Sequence, residues 1–385
     1  SRSGSRVKFM PEVSVLLPCF NAESTLDEAL SSLAEQSYPD FEVICLDDGS
    51  EDSTPTILEE WSRKDSRFIL VRKEHQGVVN AANRGLSLCR SPIILRMDAD
   101  DRCHRDRIKL QRDFLLENPD VDVVGSLVEG FPKVQVGEGF QLYYQWLNSL
   151  IYHEDICREI FVESPLANPS TAFRKSWIEE IGGYQDRGWP EDYDLWLRAY
   201  LAKAKFAKIP QVLLEWREHP DRLTHVDSRY SLENFLRAKA HYLALGPARN
   251  RDAVFLWGAG MTGRRLSKHL EREELPLVGF IDVDPKKIGK TRRGKPILAP
   301  EDLPKTWKEH QNPILLTAVR ARKASPLIRS NLEKLGLTLA TSRCASAARW
   351  RAISASRLRR VSSSFSSRRR KSDLSASLVR RAASH

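Results

Sequence analysis

The chain has 385 residues, 41% of them hydrophobic and 29% charged. These are the proportions of a globular protein, and they exclude a collagenous, mucin-like or largely disordered chain. At roughly 100–200 residues per domain, the length implies two or three domains. No apolar run approaches the ~18 residues of a membrane helix, so no transmembrane segment is expected. Residues 341–385 hold twelve Lys and Arg against one acid, Asp373. That surplus exceeds the whole chain's +10, so the first 340 residues are close to neutral. Bulk charge therefore gives no sign of a basic groove for nucleic acid across the body. The cysteines at 19, 45, 89, 103, 157 and 344 form no CxxC pair. Their scatter argues against a disulfide framework or a thiolate zinc site, and a reducing, cytoplasmic compartment is expected. Residues 1–11 lack an apolar h-region and read as a flexible N-terminus, not a signal peptide.

In chain order, residues 13–17 form a continuous apolar run suited to a buried parallel strand, which Pro18 is expected to end. A helix is expected over 23–36, with Leu26, Ala29, Leu30 and Leu33 on one face. Strands are expected at 41–46, 68–71, 92–97 and 121–125, with helices over 53–64, 78–88 and 105–117 between them. Strands alternating with such helices indicate βαβ units and a mainly parallel sheet. The alternation stops after 126. Residues 139–163 read as helical and aromatic-rich, 170–175 as a strand, 191–203 as a helix, 206–209 and 212–216 as two short strands, and 226–245 as a long helix. A second βαβ pattern begins with strands at 253–257, 277–283 and 313–319. After 340, Ser, Arg and Ala dominate, and the segment reads as disordered or weakly helical.

Carboxylates close two of the early strands, Asp47-Asp48 after the second and Asp98-Ala99-Asp100 after the fourth. Ligands of open α/β sheets bind outside the carboxyl ends of the strands, so both pairs should face one crevice. Turn and cap roles would explain either pair alone. Asp98 and Asp100 offer the hard oxygen ligands that Mg²⁺ and Mn²⁺ prefer. Asp48 could instead accept hydrogen bonds from a base or ribose, against a small polar helix start carrying Asn80 and Asn83. A third acidic pair, Glu191-Asp192, follows Gly182-Gly183 and Trp189-Pro190. Acids there could satisfy the helix dipole, or one could act as general base for a hydroxyl.

The ordered set LLPCFN, LDDGS, GVVNAANRG, MDAD, NPSTAFRK, IGGY and PEDYDLWLR, within about 12–220, resembles family 2 glycosyltransferases of the GT-A fold. The resemblance implies an inverting transferase assisted by Mn²⁺ or Mg²⁺. It assigns Pro18, Cys19, Phe20, Asn21 and Asp48 to the nucleotide, together with Asn80, Asn83, Asp98 and Ala99. Asp100 becomes the direct metal ligand, Asp192 the general base and Glu191 its neighbour. Arg217 falls in a segment that contacts the donor diphosphate, and His219 completes the metal shell in some relatives. Ala82 departs from the pattern, standing where many relatives carry an Arg, and this removes one phosphate contact.

Gly258, Gly260 and Gly263 satisfy GxGxxG between a strand and a helix, and Asp282 ends the next strand. The unit is too short for the two halves that cradle a dinucleotide. A structural or regulatory Rossmann-like module is expected, with an accessory ligand site at these residues as the alternative and no redox cofactor. The run from PEDYDLWLR through WREHPDRLTH to FLWGAGMTGRRL and GFIDVDPKKIG resembles the queuosine-tRNA galactosyltransferase family, which transfers galactose from UDP-galactose to queuosine in tRNA. The expected organisation is a GT-A domain over 12–248, a Rossmann-like domain over 252–340 and a Ser/Arg-rich tail over 341–385. The expected function is transfer of a hexose from UDP-galactose or UDP-N-acetylglucosamine to a hydroxyl. The resemblance implies queuosine-modified tRNA as an acceptor, with a saccharide as the alternative. A non-catalytic nucleotide-sugar-binding regulator is the competing class, and the basic tail is either an RNA-binding arm or an inert appendage.

Overall fold

The computed structural model describes residues 10–220 and 222–318, together with 328, 330–332, 334 and 335. The tail 341–385 and the end of the Rossmann-like segment lie outside the described residues. The first half alternates strand and helix: β1 (Val13–Cys19), α1 (Leu26–Ala34), β2 (Phe41–Asp47), α2 (Thr54–Lys64), β3 (Phe68–Arg72), α3 (Val78–Leu88) and β4 (Ile93–Arg96). A more irregular stretch follows: β5 (Arg102–Cys103), α4 (Arg107–Glu117), β6 (Val123–Phe131), α5 (Glu138–Ser149), α6 (His153–Glu159), β7 (Ala172–Arg174), α7 (Lys175–Glu180), α8 (Glu191–Leu201) and β8 (Phe206–Arg217). After α9 (Leu223–Val226) and α10 (Leu232–Leu245) come β9 (Ala253–Trp257), α11 (Met261–Arg272), β10 (Leu277–Ile281), β11 (Thr291–Arg292), β12 (Lys295–Leu298), α12 (Leu303–Trp307) and β13 (Pro313–Thr317).

The first sheet has the order β3-β2-β1-β4-β7-β6-β8-β5. β1 to β4 are parallel, as their unbroken apolar runs require, and β7 is antiparallel to both β4 and β6. The second sheet, β11-β12-β10-β9-β13, is parallel except for β11. Helix α10 serves both cores: Ala238 and Tyr242 pack into the first, Leu236, Ala240 and Leu243 into the second. The described residues fall within one compact unit. Among them, no helix is long and apolar enough to cross a membrane.

The structure differs from the sequence-based expectation in three instructive places. β1 does not end at Pro18. Leu16 O accepts from Met97 N, so the peptide groups of residues 16 and 18 face β4, which has ended at Arg96. The N–H that Pro18 lacks therefore costs no ladder bond. The two short strands expected at 206–209 and 212–216 form one, β8. Pro210 lies where the register against β6 shifts, in an irregularity that tolerates a residue without a donor. Finally, the helix expected over 139–163 breaks between α5 and α6, where Ile151 O accepts from Lys208 N of β8. Pairing with a strand remote in sequence overrides helical periodicity.

Candidate active site

β1 and β2 deliver their C-terminal ends side by side, and the Cys19 carbonyl accepts from Asp48 N at 2.9 Å. Cys19 is buried, whereas the ring of Phe20 is exposed and stacks on His75 with centroids 4.2 Å apart. Asn21 adopts a left-handed φ of 47°. Its N–H donates to Ser50 Oγ and its side-chain oxygen accepts from Glu51 N, tying the two strand ends together. Asp47 makes the turn, accepting from Ser50 N. Asp48 turns inward, and its carboxylate accepts from the backbone of Gln76 and Gly77 and from Lys73 Nζ. It thereby shapes the wall beneath the Phe20–His75 face. Asn80 accepts from Lys73 Nζ. Asn83 is fully engaged: it donates to Tyr184 O at 2.8 Å and accepts from Tyr184 N at 2.9 Å. This locks α3 to the Gly182-Gly183 turn. Gly183 has φ 64°, and a Cβ there would lie 2.5 Å from Asn83 Oδ1. Ala82 is buried with Leu16 and Ile44, a place for a small apolar side chain.

At the end of β4, Asp98, Asp100 and Asp101 hold carboxylate oxygens all within 4.8 Å of one another. Buried Arg96 pairs with Asp98 at 2.6 Å. The end of β8 closes over the cluster. Arg217 N donates to Asp101 Oδ1 at 2.8 Å, Arg217 Nε donates to Asp100 O, and His219 Nε2 lies 2.9 Å from Asp100 Oδ2. The Arg217 guanidinium also reaches Glu28 and covers the Phe131 ring. Ala99 is buried, and its carbonyl accepts from Thr25 Oγ1. Burial pushes the carboxyl of Asp101 well up, and the charges of Asp100 and Asp98 push it further. Its Oδ2 is buried without a hydrogen-bond partner. An oxygen-rich set with one oxygen unsatisfied fits a hard divalent cation such as Mg²⁺ or Mn²⁺.

The third element is the start of α8, where Glu191 and Asp192 occupy the first turn. Glu191 is buried and accepts from Tyr230 Oη at 3.0 and 2.9 Å. Burial raises the Asp192 carboxyl to about 7, and the charges of Glu191 and Asp98 add to the effect. Asp194 anchors the helix, accepting from Trp189 Nε1, Tyr242 Oη and Arg198 Nε at 2.8, 2.6 and 2.7 Å. Arg198 in turn donates to the carbonyls of Ile181 and Gly183, which fixes the turn that Asn83 grips from the other side. The arrangement sets an acid cluster suited to a cation beside a carboxyl whose proton affinity is matched to neutral pH.

The sequence profile described as Glycosyl transferase family 2 matches residues 14–182. An uncharacterized glycosyltransferase of Haemophilus influenzae is 31% identical over 222 residues, covering 56% of this chain and 68% of that protein. The chain belongs to glycosyl transferase family 2. It is a glycosyltransferase, an enzyme that moves a sugar from a nucleotide-sugar donor. A second family member, the UDP-Gal:alpha-D-GlcNAc-diphosphoundecaprenol beta-1,3-galactosyltransferase of Escherichia coli, is 30% identical over 210 residues, 54% of this chain and 74% of its own length. Among solved structures, residues 1–349 of Staphylococcus aureus TarS, in complex with UDP-GlcNAc, superpose with a TM-score of 0.51. The match has 21% identity and covers 68% of this chain and 72% of the other. The curled first sheet is the GT-A fold of that neighbour.

Three residues around this family 2 site escaped the sequence reading. Asp101 was legible as the third acid of the DADD run. Arg96 and Tyr230 were not, because a lone Arg in a strand and a lone Tyr in a turn make no local pattern. The second sheet carries a cleft of about 240 Å³ lined by Gly258, Gly260, Asp282 and Lys287 among others. Gly263 packs so tightly that a Cβ would lie 1.8 Å from Gly258 O. Asp282 accepts from Ala259 N and Asp284 N and pairs with Lys287.

Proposed function

We propose that this family 2 enzyme transfers a hexose from a UDP-sugar to an acceptor hydroxyl with inversion at the anomeric carbon. The reading is carried by the place of Asp192 in the first turn of α8, where it feels the charge of Asp98 from the acid cluster and burial raises its proton affinity to about 7. At neutral pH such a group is partly ionised and still basic enough to take a hydroxyl proton as the bond to the sugar forms. The uracil lies against Phe20 and the strand end Pro18–Asn21, over the wall shaped by Asp48, with Asn80 and Asn83 lining the α3 side. Asp100 and His219 would hold Mn²⁺ or Mg²⁺, with Asp98 and Ala99 on the diphosphate side, and Arg217 keeps Asp100 in place through its bond to the Asp100 carbonyl. When bound, the cation supplies charge stabilisation to the departing nucleoside diphosphate. Asp192 orients the acceptor hydroxyl and accepts its proton, and Glu191 keeps its neighbour's proton affinity high.

The UDP-sugar choice is supported by the galactosyltransferase relative, whose name specifies UDP-Gal, and by the UDP-GlcNAc complex of TarS. The acceptor is a sugar-like hydroxyl, either the cyclopentenediol of queuosine in tRNA or a saccharide, and a regulator without turnover is the alternative class. The five described cysteines are free thiols, which supports a reducing, cytoplasmic setting. For the second sheet a structural role is favoured over dinucleotide binding. The acid that would meet a ribose, Asp282, already satisfies the Gly258–Gly260 turn. UDP release measured with UDP-galactose and UDP-N-acetylglucosamine, with and without Mn²⁺ and with queuosine-modified tRNA as acceptor, tests the reading. No release with any donor would leave the regulator.

A further inference from the structure

The segment leaving β8 touches both halves of the site. Its first residues close on the acid cluster through Arg217 and His219. Further along, Tyr230 reaches the start of α8. Two caps fix its backbone. Asp227 accepts from Arg229 N at 2.9 Å on one side, and Ser231 caps α10 on the other. The Tyr230 hydroxyl lies 3.0 and 2.9 Å from the two Glu191 oxygens. Among the described residues, no other side chain hydrogen-bonds Glu191. A phenol within hydrogen-bond reach of both oxygens of a buried carboxylate holds it in place and favours its charged form against the burial that opposes it.

We propose that Tyr230 is a positioning residue, whose hydroxyl holds the Glu191 carboxylate beside Asp192 so that the charge of one bears on the other. This rests on the reading of Asp192 as the base. Burial raises the Glu191 carboxyl, and against it the Tyr230 hydroxyl, Arg229 of the same turn and Arg96 from β4 favour its ionised form. Asp192 is faced by Glu191 and by Asp98 from the end of β4. Tyr143 of α5, Tyr184 of the glycine turn and Tyr230 itself also feel the Asp192 charge. Removing the hydroxyl withdraws a donor that favours the Glu191 carboxylate, so Glu191 holds its proton to higher pH. A neutral Glu191 no longer opposes ionisation of Asp192, whose own proton then leaves at lower pH.

The test is Tyr230→Phe, which keeps the ring and removes only the oxygen. UDP release to water is followed with Mn²⁺ and each of UDP-galactose and UDP-N-acetylglucosamine. The expected result is a kcat about 10-fold lower, the scale of a lost bond to a charged group. The donor KM should stay within about twofold, and the acid limb of the rate profile should move to lower pH. Glu191→Gln should move the limb the same way, and the double variant should lose no more than Glu191→Gln alone, because the two act as one unit. A thermal melt within a few degrees of wild type establishes that Tyr230→Phe is folded. A wild-type rate and limb in Tyr230→Phe, or losses that simply add in the double variant, would overturn the proposal. Asp192→Asn separates it from the reading beneath. If that variant is inactive while Tyr230→Phe is normal, only the role of Tyr230 falls. If it retains full turnover, both fall.

Discussion

Asp282 ends a parallel strand of the second sheet, as Asp98–Asp101 do in the first, and the chain treats these acids in opposite ways. Burial alone would raise the Asp282 carboxyl. The donors around it, Asp284 N and Ala259 N together with Lys287, bring it below the usual range instead. Its charge is satisfied inside the fold, and it braces a glycine turn. Asp101 has one oxygen buried without a partner, and the Asp192 carboxyl is lifted to about 7. The difference is that the fold supplies the donors Asp282 needs and leaves Asp101 one buried oxygen that a bound cation could satisfy.

The largest expected effect comes from removing an acid of the Asp98–Asp101 cluster. Asp100→Ala should bring metal-dependent UDP release down to background while the melting temperature stays near that of wild type, because the residue lies outside the apolar core. Near-full turnover in this variant would place the cation elsewhere. Asp192→Asn keeps the shape and removes the basicity. Its turnover should drop by about 10²–10⁴, with UDP-sugar affinity by calorimetry little changed. Weakened donor binding with normal chemistry would assign Asp192 to the donor side.

The raised proton affinity of Asp192 fixes the direction of the pH dependence. As the proposed base, Asp192 acts ionised, so kcat should rise about tenfold per unit from acid pH and level off near 7. A limb near the ordinary Asp value of ~4 would show that burial does not act on it as argued. On the structural side of the comparison, Gly263→Ala should lower the melting temperature. Overpacking of this kind costs about 1–3 kcal/mol, and here the Cβ has no room against Gly258 O. An unchanged melting temperature would show that α11 is free to move off its strand. The smallest effect is expected from deleting 341–385. UDP release should be unchanged, since every residue given a role lies earlier in the chain. Any tRNA affinity should lose part of its salt dependence, because twelve cationic side chains are removed. Equal salt slopes with and without the tail would remove the RNA-arm reading.

Much of the candidate site was legible because its signals are local. A strand-end acid is visible as an apolar run followed by Asp, and the DADD and PED runs are contiguous. What each acid does was less legible. Asp48 was read as a nucleotide contact, and its carboxylate also accepts from the backbone of Gln76 and Gly77, which local sequence does not pair with it. Asn83 was read as a ligand contact, and it also braces the Tyr184 turn, a partner 101 residues away that no local pattern announces.

By itself, the sequence determined the alternation of strands and helices, the parallel core of β1 to β4, the order of the acidic motifs and the near-neutral body. Each follows from hydrophobic periodicity or composition within a short window. Tertiary structure alone decided that β6 and β8 would run on as long paired strands, that α5 and α6 would separate, and that α10 would serve two cores. It also decided that Arg217 and His219 would close on the DADD run from more than a hundred residues away, and that Tyr230 would reach Glu191. These outcomes depend on hydrogen bonds and burial between segments far apart in the chain. Their energies exceed the local preferences of either segment, and neither segment carries a trace of the other.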